Sequence, residues 1–184
     1  MVNKSIGAIE FRSISKGIEI SNEMVKRADV DVIYAKSICP GKFIIIISGD
    51  ASEVNEVVSY GLNFDKEYIV DSFILNRIHD DIVNGLKSKY KSKDIEGLAI
   101  GIMETNKVCS GLEALDKALK SGDVNLVKLQ LAFAIGGKLV YMVSGTLSSV
   151  EHSINTAIEE IEAKYIVATS IIPSPEVEFI RQII

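Results

Sequence analysis

Tryptophan is absent from this chain, proline occurs three times, and cysteine and histidine only twice each. Two cysteines, Cys39 and Cys109, make neither a Cys-x-x-Cys pair nor a disulfide framework, which predicts a reducing, cytosolic setting. Neither His79 nor His152 has a Cys, His, Asp or Glu three or four residues further on, so a helical metal pair is excluded. Positive charge is also short: 20 Lys and Arg face 25 Asp and Glu, a net charge of −5. No basic field is available to draw in a phosphate backbone, which argues against a nucleic-acid partner. The longest apolar runs, such as Phe43–Ile47, fall far below the ~20 residues that span a bilayer. The opening MVNKSIGAIEF lacks the apolar core and cleavage site of a secretory signal, so no membrane partner is expected.

Catalytic patterns are missing too. Gly136-Gly137-Lys138 lacks the spacer and the following Ser/Thr of a phosphate-binding loop. Glu10 and Glu104 recur, but at equivalent strand ends of separate segments rather than as an acid/base pair. No Ser-His-Asp arrangement has a recognisable setting, and the reading is that the chain is not an enzyme.

What is present is a repeat. Ile6-Gly7-Ala8-Ile9-Glu10 matches Ile100-Gly101-Ile102-Met103-Glu104, and the same spacing carries Gly17/Gly111, Glu19/Glu113, Lys26/Lys120 and Asp29/Asp123. Two residues are then gained in the second copy, after which Gly41-Lys42 matches Gly137-Lys138 and Ser48-Gly49 matches Ser144-Gly145. Matches in one order with a single small insertion mean a duplicated domain. The copies are placed at residues 1–90 and 97–184, joined by a polar, lysine-rich linker at Lys87–Glu96.

Each copy reads as β-α-β-β-α-β with a short terminal helix. Strands are predicted at 4–10, Val30–Ile38, Phe43–Ser48 and Tyr68–Leu75, with counterparts at 98–104, Val124–Ala132, Leu139–Ser144 and Tyr165–Ile172. The first helix of each copy is placed from near Gly17 or Gly111, where Leu112, Leu115, Ala118 and Leu119 keep helical spacing. The second helix is placed at Asp50, which with Glu53 has capping-box spacing. The fold class is α/β (α+β), two tandem domains with ferredoxin-like, split-βαβ layers.

These segments resemble a known family. IGAIEFRSISKGIEISNEMVKRADVDV, the turn CPGKF and SGDASEV are similar to the bacterial microcompartment shell domain, as are AIGIMETNKVCSGLEALDKALKSGDVNLV and GGKLVYMVSGTLSSV of the second copy. The strand end Ile171-Ile172-Pro173-Ser174-Pro175 fits as well, although Ser174 stands where the family usually carries arginine. Within the family, Ser37-Ile38-Cys39-Pro40-Gly41-Lys42 resembles the tandem-domain, iron–sulfur-binding members of propanediol-utilisation compartments.

The resemblance implies a homotrimer whose six domains form a pseudo-hexameric tile in the shell of a microcompartment in the bacterial cytoplasm. It places Cys39-Pro40-Gly41-Lys42 and the counterpart 133–138 at a central pore. It implies one [4Fe–4S] cluster per trimer, shared on the three-fold axis, with Cys39 as metal ligand and Pro40, Gly41 and Lys42 around it, moving electrons across the shell. A redox enzyme or electron carrier is then the implied partner. It also places Lys26 and Lys120 at tile edges, against other shell proteins. On spacing alone, Cys39 reads as a small idle thiol, Lys42 as equally part of the shared fold, and both edge lysines as helix-terminal cations. Cys109, beside the first helix of the second copy, reads as structural. The alternatives are a metabolite-passing tile without a metal and, in another class, a duplicated ferredoxin-like small-molecule sensor.

Overall fold

A computed structural model describes residues 5–87, 95–132 and 135–184. The first copy contains β1 (Ser5–Phe11), α1 (Ile14–Met24), β2 (Asp31–Ile38), β3 (Lys42–Gly49), α2 (Ala51–Phe64), β4 (Ile69–Leu75) and α3 (Asp80–Leu86). The second contains β5 (Ala99–Thr105), α4 (Val108–Ser121), β6 (Val124–Leu131), β7 (Leu139–Gly145), α5 (Leu147–Glu160), β8 (Ile166–Ile172) and α6 (Val177–Ile183). The predicted linker falls largely on residues 88–94, outside the described ones.

Each copy builds one four-stranded sheet, in the orders β2-β3-β1-β4 and β6-β7-β5-β8. All neighbouring strands pair antiparallel, which is the split-βαβ arrangement the repeat predicts. Register confirms the duplication residue by residue. Ile6 faces Ser48 and Ile100 faces Ser144, and a bulge falls at Ile33 in β2 and at its counterpart Val127 in β6. The extra residues of the second copy therefore lie in the β6–β7 turn.

Local chemistry explains the elements. The uninterrupted Phe43–Ile47 run occupies a strand with neighbours on both sides, and all five side chains are buried. Gly7 and Gly101 let a helix approach the central strand. A Cβ at Gly7 would lie 2.5 Å from Val58, and one at Gly101 would lie 2.7 Å from Val150. The first helices begin three residues before the predicted Gly17 and Gly111. In the first copy Ser13 supplies the start, its hydroxyl accepting from the Lys16 N–H at 3.4 Å. In α1 both Ile14 and Ile18 face outward, and the large buried side chains begin at Ile20. At α2, Glu53 accepts from the Asp50 N–H at 3.3 Å, completing the expected capping box.

One core lies between the first sheet and its helices and joins Ile9, Phe11, Ile20, Met24, Ile45, Val54 and Val57. Full burial of each such side chain contributes roughly 1.5–3 kcal/mol. In the second copy Ile95, Ile100, Val127, Met142 and Ile180 of α6 form a further cluster.

By contacts the chain divides into Met1–Ile78 with Ala132–Gly137, and His79–Leu131 with Lys138–Ile184. Helix α3, the terminal helix of the first copy, thus packs within the second unit, on β6 and beside α4. Gly85 leaves room there for Leu126 and Leu129, each 3.2 Å from where its Cβ would stand. Asp116 of α4 accepts from the His79 N–H at 2.9 Å.

Candidate functional site: the turn bearing Cys39

The β2–β3 ladder ends at the pair Ile38–Lys42, leaving Cys39-Pro40-Gly41 as a three-residue turn. The Cys39–Pro40 peptide is cis, and Gly41 has φ +73°, a left-handed value that glycine adopts without a Cβ clash. Pro40 and Gly41 are exposed and Cys39 is half-buried. Nothing lies within 4 Å of where a Gly41 Cβ would point, so the tip faces open space.

Behind the tip, the Lys42 ammonium pairs with the carboxylate of Glu10, whose side chain is fully buried. The second copy repeats this contact: Lys138 Nζ meets Glu104 Oε1 at 2.6 Å, in a more solvated place. The pair therefore belongs to the shared domain, and in the first copy it fixes the base of the turn. Sequence reasoning noted all four residues without joining them. The signal was available, since the same acid and the same base recur at the same two repeat positions.

The equivalent turn, Ile135-Gly136-Gly137, belongs by contacts to the first unit. A Cβ at Gly137 would stand 2.0 Å from the Cys39 carbonyl oxygen, so this backbone lies directly on that of Cys39. Gly136 and Gly137 have φ +69° and +80°. Phe133 and Ala134, assigned to the same turn, lie outside the described residues.

No group of three or more His, Cys, Asp or Glu side chains converges on a metal position among the described residues. One chain brings one thiol to the tip. Cys109 is buried in α4. His79 caps α3, its Nδ1 accepting from the Asp81 N–H at 3.2 Å, and His152 lies exposed on α5. The two predicted edge lysines differ. Lys26 pairs with Glu23 at 2.6 Å in the open, whereas Lys120 is held by buried Asp116 at 2.5 Å. Asp116, which also anchors α3, escaped the sequence reading because its repeat counterpart is Asn22.

Two copies of one helix-covered antiparallel domain, each with a lysine–glutamate pair behind a glycine turn, define a tandem-domain protein. The BMC domain model matches residues 5–78 and again 99–175, and the chain belongs to the bacterial microcompartment shell protein family as a tandem member. It is 35% identical over 187 residues to the bacterial microcompartment shell protein PduT of Citrobacter freundii, spanning 100% of this chain and 99% of that one. A crystal structure of a microcompartment protein from Desulfitobacterium hafniense superposes with TM-score 0.87 at 35% identity, over 98% of this chain and 99% of the other. The carboxysome shell protein CcmK2 of Thermosynechococcus vestitus is 29% identical over 90 residues, 47% of this chain but 88% of its own length. About half of this chain thus aligns with nearly all of that relative. No helix among the described residues is long and apolar enough to cross a membrane.

Proposed function

We propose that this chain is a structural tile of a microcompartment shell, in which three copies arrange six domains around a central opening where three Cys39 thiolates hold one [4Fe–4S] cluster. The observation that carries the tile is the double family match over 5–78 and 99–175. A closed ring of three places three copies of each residue around one axis.

The turn suits a thiolate ligand shared in this way. Cys39 sits at the tip of a hairpin, half-exposed, with no disulfide partner. Gly41 keeps the space beside it free of side chain, and Lys42 with Glu10 holds the strand ends that aim the tip. Three thiolates are one fewer than the four that usually ligate such a cluster, so the fourth iron takes a ligand from outside the three cysteines. Such a cluster would supply one-electron transfer, with a redox enzyme or electron carrier as the partner it would serve. Lys26 and Lys120 serve the contacts with neighbouring shell proteins, Lys26 as the freer of the two.

Iron and acid-labile sulfide measured on anaerobically purified protein test this reading. About four irons per three chains, lost in Cys39→Ser while the oligomer persists, is the expected result. An iron-free trimer that resists reconstitution reduces the function to a metabolite-passing tile.

A further inference from the structure

The two lysine–glutamate pairs share a place in the repeat but not an environment. The side chains of Lys42 and Glu10 are 14% and 0% exposed, whereas those of Lys138 and Glu104 are 40% and 29% exposed. Charges in a buried setting are screened far less than charges in water. The field of the first pair therefore reaches its neighbours, and that of the second is largely damped. A thiol stands in front of the buried pair only: Cys39 opens the turn that Lys42 closes, and its counterpart in the second copy is Ile135.

The lysine also lies close to the turn it follows. A Cβ placed on Gly137 would stand 2.0 Å from the Cys39 carbonyl oxygen and 3.1 Å from Lys42 Cε, so the lysine stem and the cysteine backbone border one narrow space. In the sheet order β2-β3-β1, Cys39 leaves β2, Lys42 opens β3 and Glu10 stands on β1. Glu10 pairs in register with Ile44, two residues further from the turn than Lys42. The positive end of the pair is thus carried beside the turn, and the negative end on the strand beyond it. Cys39, Lys42, Glu10 and Gly137 all belong to one compact unit.

We infer that the buried Lys42–Glu10 pair sets the reduction potential at this turn, the lysine raising it and the glutamate holding that rise in check. The inference rests on the reading that Cys39 holds a cluster, and adds which charges of this chain govern it. One-electron reduction adds one negative charge at the turn. A fixed positive charge nearby stabilises the reduced form and raises the potential, and a fixed negative charge lowers it. Net charge and hydrogen bonding around the sulfurs are the levers by which a protein tunes such a potential. Three chains around one axis bring three copies of the pair, so each substitution acts three times.

Redox titrations of the anaerobically reconstituted protein, reduced with dithionite and followed by electron paramagnetic resonance, test it. Glu10→Gln leaves the ammonium uncompensated and is expected to raise the potential. Lys42→Gln leaves the carboxylate uncompensated and is expected to lower it. Each is expected to change the ratio of reduced to oxidised cluster at a fixed potential about tenfold, or about 59 mV for one electron. The step from Glu10→Gln to the double variant Lys42→Gln/Glu10→Gln removes the lysine charge alone. A fall in potential at that step reads Lys42 even where Lys42→Gln by itself does not fold. Shifts of the same sign in both single variants mean disturbed packing rather than charge and overturn the inference. A potential that moves in none of the variants overturns it as well, and in both cases the cluster reading stands. A wild-type protein that takes up no iron overturns both.

Discussion

Lys42–Glu10 and Lys138–Glu104 occupy the same place in two copies of one domain, yet the first is buried and the second partly solvated. The comparison separates what the fold needs from what one turn adds. The ion pair recurs, so it belongs to the domain, whereas the thiol stands only in front of the buried pair. Burial also decides how much each pair matters. A buried carboxylate deprived of its cation is costly, while an exposed pair is screened by water and adds little.

The largest expected effect follows from that contrast. Lys42→Ala should destabilise the protein by about 3–5 kcal/mol, because the Glu10 carboxylate stays buried without its lysine. Lys138→Ala should cost about 0–1 kcal/mol in the same urea titration. Equal losses from the two substitutions would break the comparison.

The two turns give the next test. Gly137→Ala combines a left-handed φ with a Cβ that would strike the Cys39 carbonyl, and should cost about 2–4 kcal/mol from overpacking and backbone strain together. Gly136→Ala and Gly41→Ala meet open space and should cost only about 1–2 kcal/mol each. A Gly137→Ala variant as stable as Gly136→Ala would mean that the second turn does not rest on Cys39.

Smaller effects concern the lysines predicted for the tile edge. Asp116→Ala removes the acceptor of the His79 amide and the anchor of Lys120, and is expected to lower stability by about 1–3 kcal/mol. Lys26→Ala should leave the melting temperature unchanged, since its pair with Glu23 lies in water. Any effect of Lys26→Ala should fall on sheet assembly, read by electron microscopy. A fall in melting temperature for Lys26→Ala as large as for Asp116→Ala would erase the distinction between the two edges.

Much of this fold was legible from residues. The repeated Ile-Gly-x-x-Glu segment, the run Phe43–Ile47 and the Asp50–Glu53 cap each point to one element, and each element forms there. Periodicity failed at the start of α1 because Ile14 and Ile18 face outward and do not follow the core stripe. Helix α3 was assigned by position in the chain, yet its packing within the second unit depends on Gly85, Leu126 and Leu129, a contact that no local pattern announces. The candidate site was legible only in part. Cys39-Pro40-Gly41 could be singled out because a thiol beside a Pro-Gly turn is an uncommon combination. The Glu10 carboxylate behind it is distant in sequence, and only comparison of the copies could have joined it to Lys42.

The central claim, a tile of three chains sharing one cluster through Cys39, is tested most directly by native mass spectrometry of the anaerobically purified protein. The account predicts a single assembly of three chains carrying the added mass of one [4Fe–4S] cluster, and three bare chains when Cys39 is serine. A cluster bound to a single chain, or a trimer whose added mass survives Cys39→Ser, would contradict it.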